Sequence, residues 1–421
     1  MSSVRFSSRN LRSEVRSTDG DDYGIDFTQS LDDYIAEAEA VVADPLPALQ
    51  TFNRFRSGTR SVVSYSSYPT VLALRVLGSF LRRKYSLQTE TREAVSRGLI
   101  QALADSSTMR ILRRDIASFY ESVPTSVVKE ELLYRDVLPP RARRMLETFF
   151  EIHCVADVGL PRGLGLSAIL SEYVMKPVDA AIRLIPGVYR YHRFVDDIIV
   201  FSTPEGRNIS RALAAALPAP MCLSRSRSKC DDVVLPRPHG NDSSRISFDY
   251  LGYSYEATLA HSPKKPRKIR VGIASAKINR LKSRLILTAR QLLQDNDSRL
   301  FTDRIAYLTG NYRFVKRRPI ASTGRSVVKS GIFYNYRYCG SYSGEVRVSH
   351  DMAELRRLDW FLQHVILGGR SPLGFKVLQL LSATELARAQ RLSFAQGHLR
   401  AFDCGFDSAR VSAIREAWKN V

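Results

Sequence analysis

The stretch YRYHRFVDDIIVFS, residues 189–202, decides the fold. Two runs rich in β-branched and aromatic residues flank Asp196 and Asp197, the pattern of a tight hairpin whose turn carries two adjacent acids. Side-by-side carboxylates repel, and one of them is pushed up in pKa unless cations neutralise the pair. The apolar strands on either side leave no place for both acids inside an apolar core. An ordinary Asp-rich turn accounts for an isolated Asp-Asp pair, but a third acid changes that reading. Asp115 ends an apolar run, MRILRRDIASFY (109–120), expected as a strand over about 110–118. A sheet that sets this strand beside the hairpin brings three carboxylates to one edge. Such an oxygen-rich, anionic pocket suits magnesium, a hard cation that takes carboxylate and substrate-phosphate ligands. Two such ions about 3.5–4 Å apart would activate a 3′-hydroxyl and stabilise the leaving pyrophosphate of an in-line displacement.

Outward from this centre, the chain reads as alternating helical and β-rich segments. Residues 1–23 are Ser- and Arg-rich and read as a disordered basic tail without the apolar core of a signal peptide. DFTQSLDDYIAEAEAVVADPLPAL (26–49) reads as an acidic amphipathic helix ended by the prolines at 45 and 47. Residues 51–66 suggest a basic hairpin or loop, and helical patterns follow near 70–85, 90–105, 124–153, 168–183 and 206–216. GLPRGLGLS (159–167) is Gly-rich, and ISFDYLGYSY (246–255) reads as a second hairpin. After the basic KKPRKIR (264–270), helices are expected at about 275–294 and 299–316, and again from about 351.

The charge balance points to a polyanionic partner. Lys and Arg number 63 against 42 Asp and Glu, a net charge of +21, and the pI is ≈ 9.9. This excess predicts salt-sensitive binding to nucleic acid, with an anionic membrane surface as the second candidate. No apolar run approaches the roughly 20 residues that span a bilayer. Cys154, Cys222, Cys230, Cys339 and Cys404 show neither a paired motif nor regular spacing, which speaks against a disulfide framework or zinc site and suits a reducing cytoplasm.

Taken together, the motifs resemble those of reverse transcriptases. DIASFYES (115–122), GLPRGLGLS, FVDD (194–197), LSRSRSK (223–229) and FDYLGY (248–253) resemble that family's motifs A to E, in the family's order. The resemblance covers about residues 110–255, and more loosely the region from about 50. It implies an α+β right-hand polymerase: fingers over 24–110 with an N-terminal helix, and a palm with an antiparallel sheet over 111–255. The palm would carry inserted fingers helices at 124–153. A thumb-like helical segment over 256–340 and a helical C-terminal region over 341–421 complete it. RGLGLSAILSE and RYHRFVDDIIVF look like bacterial abortive-infection and defence-associated members. GIFYNY followed by LRRLDWFLQ resembles the B-type subunit of a two-polymerase antiviral system. The retron signatures are absent, as is a recognisable RNase H or endonuclease module.

The resemblance implies an RNA-directed DNA polymerase in phage defence, with untemplated or atypically templated synthesis known in the family. Its partners would be dNTPs, an RNA template or noncoding RNA, a DNA product, and a second reverse-transcriptase subunit or another copy of itself. Asp115 and Asp196 would bind both Mg2+ ions, with Asp197 supporting and Mn2+ as the alternative ion. Tyr120 would be the aromatic gate that excludes a ribose 2′-hydroxyl; core packing is its plain alternative. Lys229 would protonate or neutralise the pyrophosphate, and Gly163 and Gly165 would let the backbone approach the nucleotide. Gly252 and Tyr253 would contact a primer. One departure stands out: the family's common Gln after Leu-Pro is here Arg162, whose charged fork could hold a nucleotide's phosphate or base edge but does not reproduce an amide's contacts. Ser167-Ala168 likewise replaces Ser-Pro.

Basic surfaces complete the expectation. Arg54, Arg56 and Arg60, with Arg75 and Arg92 as rivals, could clamp a triphosphate. Lys277, Arg280, Lys282, Arg284 and Arg290 share a helix with an apolar stripe and could track a duplex. Tyr334, Tyr336, Tyr338 and Tyr342 alternate around Arg337 and could stack bases, although half-buried strands look the same. His153 and His192 read as structural. An RNA-dependent RNA polymerase and a non-catalytic nucleic-acid scaffold are the competing readings; Tyr120 opposes the first and the three acids oppose the second.

Overall fold

The computed structural model describes residues 6–16, 19–25, 27–206, 208–226, 229–236, 245–258, 265–316, 326–400 and 405–419. They form an α+β structure in which every strand pairing is antiparallel among the described residues. None of their helices is long and apolar enough to cross a membrane. The chain divides into two compact units. The first holds the described residues up to Val95 and from Thr108 to Pro236; the second holds Ser96–Ser107 and the described residues beyond Pro236.

In the first unit, residues 51–66 contain the expected hairpin, β1 (Asn53–Ser57) against β2 (Arg60–Ser64). Apolar residues at helical spacing along 72–81 bury one face of the helix Tyr68–Lys84. Ser67 caps its start. This helix packs against the helix Gly165–Arg183 so closely that a Cβ on Gly78 would meet Ile169 Cδ1 at 2.5 Å. A four-stranded sheet completes the unit: β3 (Met109–Asp115), β4 (Val188–Phe194), β5 (Asp197–Ser202) and β6 (Asp231–Leu235), in the order β4-β5-β3-β6. Ile198, Ile199, Val200 and Phe201 are all fully buried. The apolar run is continuous because β5 is an inner strand covered on both faces.

The N-terminal expectation needs correction. Residues 8–13 are a helix, not a disordered tail. Phe6 and Leu11 are buried among core side chains, and the fully buried Asp19 pairs with Arg75 at 2.6 and 2.9 Å. Two apolar anchors and one acid suffice, and an average over a Ser/Arg-rich segment conceals them. Residues 1–5 lie outside the described set. Pro45 does end the acidic helix, Phe27–Ala43, but it also opens the next one, Pro45–Gln50, where a first-turn proline gives up only an N–H that has no partner in the helix.

In the second unit β7 (Arg245–Tyr250), β8 (Tyr253–Thr258) and β9 (Lys268–Ile273) join a five-stranded sheet. Its order is β13-β12-β9-β8-β7, where β12 is Gly340–Ser343 and β13 is Val346–Ser349. β7 and β8, read with segment 111–255, thus pair within the second unit. A further hairpin pairs β10 (Asn311–Lys316) with β11 (Ser326–Gly331). The segment expected to be helical over 256–340 is therefore only partly so. The helix expected over 299–316 stops at Thr309; after Gly310, Asn311–Lys316 (NYRFVK) extends as a strand. The region 341–421 also opens with β12 and β13 before its helices begin at Ala353.

Candidate metal centre

Antiparallel register assembles the acids. β3 and β5 run so that Asp115 stands opposite Asp197, and β4 pairs Phe194 with Asp197. This leaves Val195 and Asp196 as a two-residue turn. One oxygen from each of Asp115, Asp196 and Asp197 lies within 4.8 Å of the others. Among the described residues no other group of three potential ligands is so placed. Asp115 is 3% exposed, and the other two are half-buried.

The turn is strained. Val195 sits at φ +59, a region that β-branched residues avoid. Two hydrogen bonds hold it there. Ile116 N donates to the Asp196 carbonyl at 3.0 Å, and Arg193 Nη1 donates to the Val195 carbonyl at 2.9 Å. Arg193 is itself buried and clamped. Its guanidinium bonds Glu172 at 3.0 and 2.6 Å and Asp179 at 2.8 and 2.9 Å. The sequence reading passed over Arg193. The available signal was Glu172 and Asp179, seven residues apart on one helix face, with Arg193 two residues along a strand from the inward Tyr191.

Like charge contributes at the triad as expected, but burial is the larger cause and acts on two of the acids. Burial first, and the charge of Asp115, push the Asp196 carboxyl up, opposed by a backbone hydrogen bond and by Lys229 and Arg162. Burial and the charges of Asp196 and Asp115 push Asp197 up, while Arg113 and Lys229 pull it down. Lys229 Nζ lies 2.8 Å from both oxygens of Asp115, and Arg113 Nη2 lies 3.7 Å from Asp197. Three hard oxygen donors at this spacing, partly desolvated and only partly neutralised by side-chain cations, fit a divalent ion such as Mg2+. Arg227 and Ser228, in the segment leading to Lys229, lie outside the described residues, as does Cys404.

The other expected site residues separate into those near the triad and those elsewhere. Tyr120 is half-buried, and burial raises its hydroxyl pKa, with the charges of Arg162, Glu172 and Asp196 acting on it. Arg162 lies with Cζ 5.2 Å from the centre of the Tyr120 ring. It makes a two-pronged pair with Glu121, at 2.5 and 2.9 Å. Gly163, at φ +98, meets a constraint within the fold itself. A Cβ there would lie 2.3 Å from the Val63 carbonyl oxygen, so the close approach is to β2. Gly165 has open space around its Cβ position.

Arg54, Arg56 and Arg60 are exposed on the hairpin, and the charge of Arg60 acts on Glu121. Arg75 is committed to Asp19 and leaves the set of free clamps.

In the second unit, Leu251 and Gly252 form the β7–β8 turn with φ +48 and +82, the two positive angles of a tight hairpin. Tyr253 is 2% exposed and donates to the Asn335 carbonyl at 3.0 Å. Its side chain is interior, contrary to the expectation of primer contact. Tyr336, Tyr338 and Tyr342 are buried too, which answers the base-stacking expectation with packing. On the helix Ser275–Asp295, Arg280 is exposed while Lys277 and Arg284 are half-buried, Arg284 lying over the Trp418 ring at 5.5 Å. Among the described residues, Cys154, Cys222, Cys230 and Cys339 form no disulfide.

The chain matches no protein-family model, and no curated protein matches it.

Proposed function

We propose that the chain is a reverse-transcriptase-type DNA polymerase, with the first unit carrying its palm and fingers. The observation that carries this reading is the register that sets Asp115 opposite Asp197, with one oxygen from each of the three acids within 4.8 Å. Divalent cations bound there would supply Lewis-acid activation of a 3′-hydroxyl and stabilisation of the leaving pyrophosphate.

The chain's own residues do the rest. Asp115, Asp196 and Asp197 hold negative charge at one end of the two central strands. Lys229 sets its amine against Asp115 and is the side chain placed to neutralise or protonate the departing pyrophosphate. Tyr120 presents an aromatic surface that leaves no room for a 2′-hydroxyl. The exposed arginines of the β1–β2 hairpin, Arg54, Arg56 and Arg60, offer charge to a triphosphate, and Arg280 with its neighbours offers charge to a nucleic-acid backbone. A role in phage defence follows only from the motif resemblance.

Incorporation of labelled dNTPs and rNTPs, with and without added template, tests the reading. The expected result is dNTP incorporation that requires Mg2+ or Mn2+ and is lost in the double variant Asp196→Ala, Asp197→Ala, with nucleic-acid binding retained. Preferential rNTP incorporation would make the chain an RNA polymerase. No incorporation by the wild type under any template would leave a binding scaffold.

A further inference from the structure

We infer that Glu121 is a positioning residue for Tyr120, acting through Arg162, and that this three-residue stack sets sugar discrimination. The inference rests on the polymerase reading and specifies how its substrate selection is built.

Tyr120 has two rotatable side-chain bonds, and a gate that swings aside excludes nothing. Two neighbours restrain its ring. Phe119 packs edge-on at 5.3 Å between centroids, and the Arg162 guanidinium lies 5.2 Å from the ring centre. A guanidinium on a flexible stem is a poor wall unless its own position is fixed. Glu121 fixes it with two parallel charge-assisted hydrogen bonds, Nε to Oε1 at 2.5 Å and Nη2 to Oε2 at 2.9 Å. Such fork-to-fork pairs set orientation as well as distance.

The backbone beneath is pinned on both sides. Leu160 N donates to the Tyr120 carbonyl at 2.7 Å, and Val63 N donates to the Arg162 carbonyl at 2.7 Å. The Glu121 carbonyl lies 3.1 Å from the Cβ position of Gly159, so segments 120–121 and 159–163 are held face to face. Arg162 is 17% exposed at its side chain and Glu121 46%. An amide at position 162 could bond Glu121 but would bring no cation to the ring face. This gives the arginine departure from the family pattern a physical use.

Single-nucleotide incorporation tests the inference, with kcat and KM measured for a dNTP and the matching rNTP. The set is wild type, Glu121→Ala, Glu121→Gln, Arg162→Ala and the double alanine variant, each checked for folding by thermal melting. Glu121→Ala is expected to lower the dNTP-over-rNTP preference about tenfold, mainly through a lower KM for the rNTP. Arg162→Ala should lower it by a similar factor, and the double variant no further, because both act on one ring. Glu121→Gln, which keeps an acceptor for Arg162, should recover part of the preference; it also serves if the alanine variant does not fold. An unchanged preference in a folded, active Glu121 variant, or losses that multiply in the double variant, overturns the inference and leaves the polymerase reading standing. A wild-type protein that incorporates no nucleotide overturns both.

Discussion

Lys229 Nζ lies 2.8 Å from each carboxylate oxygen of Asp115, so the most buried acid of the triad already carries a tethered cation. A divalent ion drawing on Asp115 has to share it with this amine. Lys229→Ala removes the partner of a carboxylate whose side chain is 5% exposed. Stranding such a buried acceptor costs about 1–3 kcal/mol, toward the lower end here because Lys229 itself is 40% exposed. Thermal melts of wild type and variant in EDTA and in Mg2+ check this. The variant should melt lower in EDTA and gain more from added Mg2+; equal melting in EDTA would show that the pair contributes nothing.

Arg193 holds the acidic turn from below. Replacing it with Met leaves the buried Glu172 and the half-buried Asp179 without their shared cation and releases the Val195 carbonyl. Breaking a buried ion pair from one side costs about 3–5 kcal/mol, and here two acids lose their partner. Equilibrium unfolding in urea should show a loss of that order. Arg193→Lys should fall between, since it keeps the charge without the planar fork.

How much of this was legible in the sequence depends on the residue. The hairpin around Asp196 and Asp197 was readable because β-branched runs flank a two-residue turn, and the continuous run IIVF marks an inner strand. That the strand ending in Asp115 lies beside this hairpin was legible from the apolar run before it, but the register that sets Asp115 opposite Asp197 was not. Arg193 was passed over, because a strand arginine looks solvated unless its alternation with Tyr191 is read together with the helical spacing of Glu172 and Asp179. The primer contact of Tyr253 came from the motif resemblance alone, whereas the alternation of β8 turns its side chain inward. The N-terminal helix was lost in the average composition of its segment, and residues 311–316 were read as helix by continuity past Gly310.

Gly163 and Gly165 should respond in opposite directions to alanine. At Gly163 a Cβ would lie 2.3 Å from the Val63 carbonyl and 2.7 Å from Val62 Cγ1, on a backbone at φ +98. Gly163→Ala is expected to destabilise by about 2 kcal/mol or more and to loosen hairpin 53–64, read as faster proteolysis near Gly58. Gly165 opens a helix with nothing within 4 Å of its Cβ position. There alanine is expected to be neutral or to stabilise by up to about 1 kcal/mol. Equal responses would contradict the packing described.

His153 gives the first unit an acid-side weakness. Its ring packs at 5.0 Å from Phe52 and 5.1 Å from Phe149, and Nε2 is 2.7 Å from the Tyr65 hydroxyl. Burial, aided by the charge of Arg54, lowers its pKa from 6.5 to about 4. The folded state thus favours the neutral ring, while the unfolded chain takes up a proton as pH falls past 6.5. Stability should decline from about pH 6.5 down to about 4, and this contribution should level off below. His153→Phe keeps the aromatic contact and removes the titration. Its melting temperature should fall less than the wild type's across that interval, and an identical pH profile would assign the decline to other groups.

The central claim is that Asp115, Asp196 and Asp197 together hold divalent cations, and Mn2+ titration followed by electron paramagnetic resonance measures it without reference to turnover. Wild-type protein should bind Mn2+, Mg2+ should compete, and both Asp115→Asn and Asp196→Asn should weaken binding at least about tenfold, each missing charge-bearing ligand being worth more than a neutral contact. Folded asparagine variants that bind Mn2+ as tightly as the wild type would show that the three acids are not the site.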